Sequence, residues 1–235
     1  MSNTNFSRLE VKALVVSIIL LGFLFSFKQW GTDKFNFLTG LGNWIRASLV
    51  AAVSLLIHVV TKKMIALKYG TELEYQIWKI KRFWFGESSV FPKKIFGIQI
   101  NYLALGIILP LIFIFISNGK LIFAGIGITI LSTPTVLRFG RKFKHISEFE
   151  TAIISLAGPL ASLILAMLFK IASLSGFTFD LFIKMNFYLA FFTMLPLPNF
   201  DGIKIFFASR FLYLLTFAFI IIAIILSQYI NTAST

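Results

Sequence analysis

Long apolar runs separated by short polar joints constrain this chain more than any other feature. They recur from Val11 to Leu226 and leave few polar side chains with which to meet water. A helix needs roughly 20 apolar residues to cross about 30 Å of hydrocarbon. Candidate spans cover Val11–Phe27, Trp44–Val60, Tyr102–Ile116, Leu121–Leu137, Thr151–Ser173, Leu181–Pro196 and Ile205–Leu226. The expected fold is an all-α polytopic membrane protein of about seven transmembrane helices, or six if the short Leu181–Pro196 run does not cross. Val11–Phe27 reads as an anchor rather than a removed signal. Composition agrees: 58% of the 235 residues are hydrophobic and 13% charged, against about 45–50% and about 25% in soluble domains. A disordered tail, a coiled coil and a Rossmann enzyme are excluded. The absence of cysteine excludes thiol nucleophiles, disulfides and thiolate metal sites.

Charge sets the expected orientation. Lys and Arg number 22 against nine acids, a net +13. In a membrane protein this marks cytoplasmic loops and contact with lipid rather than nucleic acid, and no nucleic-acid partner is expected. Basic residues crowd after the second span (Lys62, Lys63, Lys68, Lys79, Lys81, Arg82, Lys93, Lys94) and after the fourth (Arg138, Arg141, Lys142, Lys144). Lys28 and Lys34, in the first outward loop, weaken the contrast without reversing it. The expectation is a multi-pass protein of the cell membrane, N-terminus cytoplasmic and C-terminus external. Between spans two and three, Thr61–Asn101 mixes charges with Trp78, Phe83, Trp84 and Phe85. It reads either as an interfacial or partly re-entrant β-hairpin, with Phe96–Ile100 as one strand, or as a plain surface loop. Ser117-Asn118-Gly119-Lys120 is a tight turn joining spans three and four as an antiparallel pair.

Polar groups within spans are costly and are the first functional candidates. His58 lies toward the cytoplasmic end of span two, with Lys62 one turn later on the same face. At the end of span six, Pro196, Pro198 and Gly202 break the helix and hold Asp201 on irregular backbone. Both spans reach the cytoplasmic side at these residues, so His58, Lys62 and Asp201 are expected to meet. His145 is expected to lie away from them. Glu148 and Glu150 read as a solvated helix start.

Three segments carry a resemblance. His58-Val-Val-Thr-Lys62, followed by Tyr69-Gly70, resembles the HExxH zinc helix of the site-2 protease family of intramembrane metalloproteases. Ala157-Gly158-Pro159-Leu160-Ala161-Ser162 is similar to that family's AGPLAN element. Thr193-Met-Leu-Pro196-Leu-Pro198-Asn-Phe-Asp201-Gly202 is similar to its NxxPxPxxDG element, which supplies the third zinc ligand. Lys68–Trp78 and Ser132–Val136 look like archaeal members. The resemblance covers Val50–Gly202. It divides a single membrane domain, 1–235, into a first span with outer loop (11–43), a site-2-protease-like core (44–202) and a C-terminal span (203–235).

The departures bear on chemistry. An HExxH site needs two imidazoles one turn apart for zinc and a Glu to take a proton from the bound water. Here Val59 stands in place of the Glu and Lys62 in place of the second His. A protonated Lys has no lone pair for a metal. Ser162 and Thr193 replace the family's two Asn. No catalytic residue and no cofactor are therefore expected. If metal were retained, His58 and Asp201 would be its ligands and the metal zinc. Lys62 is expected either to pair with Asp201 in the position of a zinc ion or to snorkel to the cytoplasmic interface. The leading functional expectation is an inactive homologue, a pseudoprotease that binds transmembrane segments or membrane partners. The alternatives are an active metalloprotease with an atypical site and a structural subunit of a membrane complex.

Overall fold

The computed structural model describes residues 6–31, 35–80, 93–95, 98–100, 102–132, 146–173 and 178–233; for 93–95, 98–100 and 228–233 only the backbone is described. In chain order the elements are α1 (Arg8–Ser26), α2 (Phe37–Lys68), β1 (Glu72–Ile77), β2 (Lys93–Ile95), β3 (Ile98–Ile100), α3 (Leu105–Ile116), β4 (Gly127–Ser132), α4 (Glu148–Ser173), α5 (Asp180–Thr193), α6 (Asp201–Ala208) and α7 (Arg210–Ala233). Among the described residues, four helices, α1, α2, α4 and the described part of α7, are long and apolar enough to cross a membrane. The molecule is a mostly helical membrane protein, with four candidate spans among the described residues against the seven expected.

The differences have local causes. Leu121–Leu137 is not a helix where described: 121–126 is irregular and leads into β4, while 133–137 lies outside the described residues. Gly125 and Gly127 disfavour a helix there, and Ile128, Thr129 and Ile130 favour a strand. The turn before it does form, with Asn118 and Gly119 at positive φ and Gly119 N donating to Ile114 O. Tyr102–Ile116 gives only the 12-residue α3, and Leu181–Pro196 only the 14-residue α5, which stops short of Pro196. Ile205–Leu226 is split where Ser209 turns extended, its hydroxyl accepting from Leu212 N at the start of α7. The second span begins earlier than expected, at Phe37, inside the segment read as outer loop. A capping box starts α4: Ser147 Oγ accepts from Glu150 N, and Glu150 Oε2 accepts from Ser147 N.

The fold is also not all-α. β1 pairs antiparallel with β4, Leu73 opposite Leu131 and Tyr75 opposite Thr129. The expected hairpin region holds a short antiparallel pair, β2 with β3. The sheet that packs on the helices is the long-range one. Helix α2 lies at the centre, against α1, α4, α5 and β1, and α4 packs on α5 and α6. Small residues permit this: Ala47 and Ala51 of α2 are fully buried, with Leu21 and Leu24 of α1 in the same core. A second core joins α4, α5, α6 and α7 through Leu163, Phe187, Met194, Ile205 and Ile220.

One close approach fixes the sheet against α3. A Cβ on Gly106 would lie 1.9 Å from the Ile126 carbonyl oxygen, a backbone atom that cannot step aside. Gly106→Val is expected to lower stability by about 1–3 kcal/mol, seen as a lower thermal midpoint in detergent. Gly42→Ala, at an α2 position with nothing within 4 Å, is expected to hold or raise that midpoint.

Candidate functional site

Helix α2 supplies two polar side chains one turn apart, His58 and Lys62, both buried. Helix α4 crosses them at Gly158, where a Cβ would sit 2.6 Å from both His58 Nε2 and Lys62 Cδ. The glycine of the Ala157–Ser162 segment is thus a contact requirement of the site. One turn further along α4, Ser162 Oγ lies 2.9 Å from His58 Nδ1.

The opposite wall comes from the loop after α5. Asn199 takes a left-handed backbone (φ 67°), and Phe200 is buried edge-on against Trp78 at 4.8 Å between ring centroids. Asp201 then opens α6, where a carboxylate is favoured by the helix dipole. Gly202 lets the turn close, since a Cβ there would fall 2.0 Å from Met194 O.

These walls meet on the Lys62 ammonium. It donates to Asp201 Oδ1 at 2.6 Å, Asp201 Oδ2 at 2.7 Å and Thr129 Oγ1 at 2.5 Å. Three donors thus have three acceptors, so the buried cation is fully satisfied. The Thr129 hydroxyl donates on to Asp201 Oδ1 at 3.2 Å. Lys204, three residues after Asp201, donates to the Thr129 carbonyl and stands 3.9 Å from Asp201 Oδ1. Lys62 is 1% exposed and turns inward to the carboxylate rather than out to an interface.

The other named residues fall as follows. Val59 is fully buried in the core shared with α1 and offers no proton acceptor. Thr193 Oγ1 donates within its own helix, to Leu189 O at 2.6 Å, and lines the central cavity. That cavity, bordered also by His58, Lys62, Tyr75, Thr129 and Asp201, measures about 20 Å³, the room of one water. His145, Arg138, Arg141, Lys142, Lys144, Lys81, Arg82, Phe83, Trp84 and Phe85 lie outside the described residues. So do Lys34 and the Thr133–Val136 part of the archaeal-like segment.

Zinc does not fit this donor set. Catalytic zinc takes three protein ligands. Here one imidazole and one carboxylate face an ammonium that cannot coordinate and already holds both carboxylate oxygens. Among the described residues no group of three His, Asp or Glu is placed to hold a metal.

Sequence reasoning missed three participants. Thr129 was hidden in a run read as a helix. Lys204 carried a signal, its i+3 spacing from Asp201. The third is a second buried pair: Lys63 Nζ meets Glu10 Oε2 at 2.6 Å, and Glu10 Oε1 accepts from Tyr75 N at 3.1 Å. Consecutive lysines on α2 thus face two sides and find a buried carboxylate on each.

Among known proteins, the chain is 27% identical over 213 residues to a protein of Methanocaldococcus jannaschii named "Putative zinc metalloprotease", covering 87% of each chain. No family model and no solved structure matches it.

Removing one member of a buried pair leaves a bare charge, at a cost of about 3–5 kcal/mol. Lys62→Met is therefore expected to lower the unfolding free energy in detergent by about 3 kcal/mol or more. Lys62→Met combined with Asp201→Asn should cost less than the two single losses added together. Strict additivity in that double-mutant cycle would show that the pair is energetically idle.

Proposed function

We propose that this chain is a catalytically inactive relative of the intramembrane zinc metalloproteases of the site-2 type, a pseudoprotease that binds transmembrane segments or membrane partners without cutting them. The observation that carries the reading is the Lys62 ammonium bonded to both oxygens of Asp201, in the motif position of a zinc-ligating imidazole. A Lys at this position supplies the positive charge a buried Asp requires, so the carboxylate can persist without a metal. Val59 beside His58 removes the proton acceptor that water activation needs. Support for the family comes from the three motif-like segments and from the metalloprotease name of the archaeal relative. The four long apolar helices support a membrane protein, and the basic joints suit contact with anionic lipid headgroups on the cytoplasmic side; four spans place both termini on one side, so the opposite-sided termini expected from seven spans are not carried over.

Metal content per purified chain in detergent, read by elemental mass spectrometry, tests the reading. Near-zero zinc is expected in the wild type and in Asp201→Ala. About one zinc per wild-type chain, lost in Asp201→Ala, would overturn it and return the active-protease alternative. The positive control is Val59→Glu combined with Lys62→His, which rebuilds an HExxH pattern and is expected to take up zinc.

A further inference from the structure

The sheet beside the ion pair has two outer edges, and both are occupied. Trp78 N donates to Ile126 O at 2.9 Å, so this pair, the next in register after Ile77 and Gly127, is a hydrogen-bonded one. Opposed residues in an antiparallel ladder alternate between bonded and non-bonded pairs. Gln76–Ile128 and Glu74–Ile130 are therefore bonded to each other, and Tyr75 and Thr129 turn their backbone groups outward. On β1 the outward Tyr75 N–H donates to Glu10 Oε1. On β4 the outward Thr129 carbonyl accepts from Lys204 Nζ. A free strand edge is a template for another strand, and a charged side chain on it prevents the pairing.

The two caps differ in permanence. Glu10 is 1% exposed and is itself locked by Lys63. The Lys204 side chain is 19% exposed, and its other partner, Asp201, already has both oxygens engaged by Lys62. Beside it an open groove of about 710 Å³ runs from the outer edge of β4 over the sheet to β1, with Lys204, Asn199, Thr129, Ile130, Ile77 and Gln76 among its walls. Lys79, in the same groove, stands 4.3 Å over the Tyr102 ring. No described Asp or Glu lines the groove.

We infer that Lys204 is a latch on the outer edge of β4, and that the groove accepts an extended peptide segment only when that segment brings a carboxylate to draw the ammonium off the Thr129 carbonyl. A neutral extended segment meets an edge whose central acceptor is taken. An acidic one exchanges the Lys204–carbonyl bond for an ion pair and then adds to β4. The latch is independent of catalysis, so its failure and that of the inactive-protease reading are separate outcomes.

The absence of native cysteine makes disulfide trapping a clean test. Ile130→Cys places one thiol in the groove of the full-length protein in detergent. The probes are six-residue Thr/Val peptides carrying one Cys, either neutral or with one Glu, and a control of each with a central Pro. With Lys204 present, the Glu peptide is expected to trap about tenfold faster than the neutral one. In Lys204→Met the neutral peptide should gain that factor and the Glu preference should vanish, while Lys204→Arg should behave as Lys204. Pro controls should trap slowly throughout. Equal rates for neutral and Glu peptides on the Lys204 protein overturn the proposal, and so do Pro controls that trap as fast as their parents. If Lys204→Met does not fold, the neutral-against-Glu comparison on the Lys204 protein decides alone.

Discussion

A single buried ammonium organises this molecule. Lys62 extends from a central helix into a space walled by α4, β4 and the start of α6, and every donor it has is used. A cation in such surroundings is tolerable only when acceptors are already in place. That requirement reaches outward. Asp201 must open its helix at the right depth, so the loop from Met194 to Phe200 must close tightly, so Gly202 must lack a side chain. Thr129 must face inward, so β4 must hold its register on β1. Gly158 must let α4 approach within contact of the Lys62 stem.

The neighbouring Glu10–Lys63 pair applies the same rule on the other side of α2. Glu10 serves two purposes, compensating Lys63 and satisfying an outward strand N–H. Irregular and edge backbone among membrane helices is tolerated only where protein groups satisfy it. Here the satisfying groups are charged side chains, and one set of residues both neutralises charge and closes the sheet. The cost is conditional stability, because each carboxylate answers to more than one donor.

Much of this was legible from residue types alone. The i, i+4 spacing of His58 and Lys62, the proline-flanked Asp201 and the glycine of Ala157–Ser162 all mark where helices break or touch. Hydropathy was less informative about backbone form. An apolar run such as Leu121–Leu137 looks the same whether it spans as a helix or is buried as a strand. Only Gly125, Gly127 and the β-branched residues that follow them argue for the strand. The same ambiguity hid Thr129, whose role depends on a partner strand more than fifty residues earlier. Helix length was overestimated wherever a run continued past its cap, as at Ser209, or into prolines, as after Thr193. Buried pairs such as Glu10 with Lys63 leave no local pattern, because their meeting depends on how α1 lies on α2.

On the proposed reading, the residues that stand at the motif positions follow a physical logic. Removing a metal from a site that keeps its carboxylate leaves a buried negative charge, and most replacements of the second imidazole would do nothing to offset it. Lysine does, because its reach of several bonds brings a point charge to the carboxylate while its methylenes pack beside Gly158. A Gln or Met of similar length would fill the volume and leave Asp201 with only the more distant Lys204, 3.9 Å away, as a cation. A site altered in this way keeps its helix crossings and its strand register while its donor set no longer suits zinc.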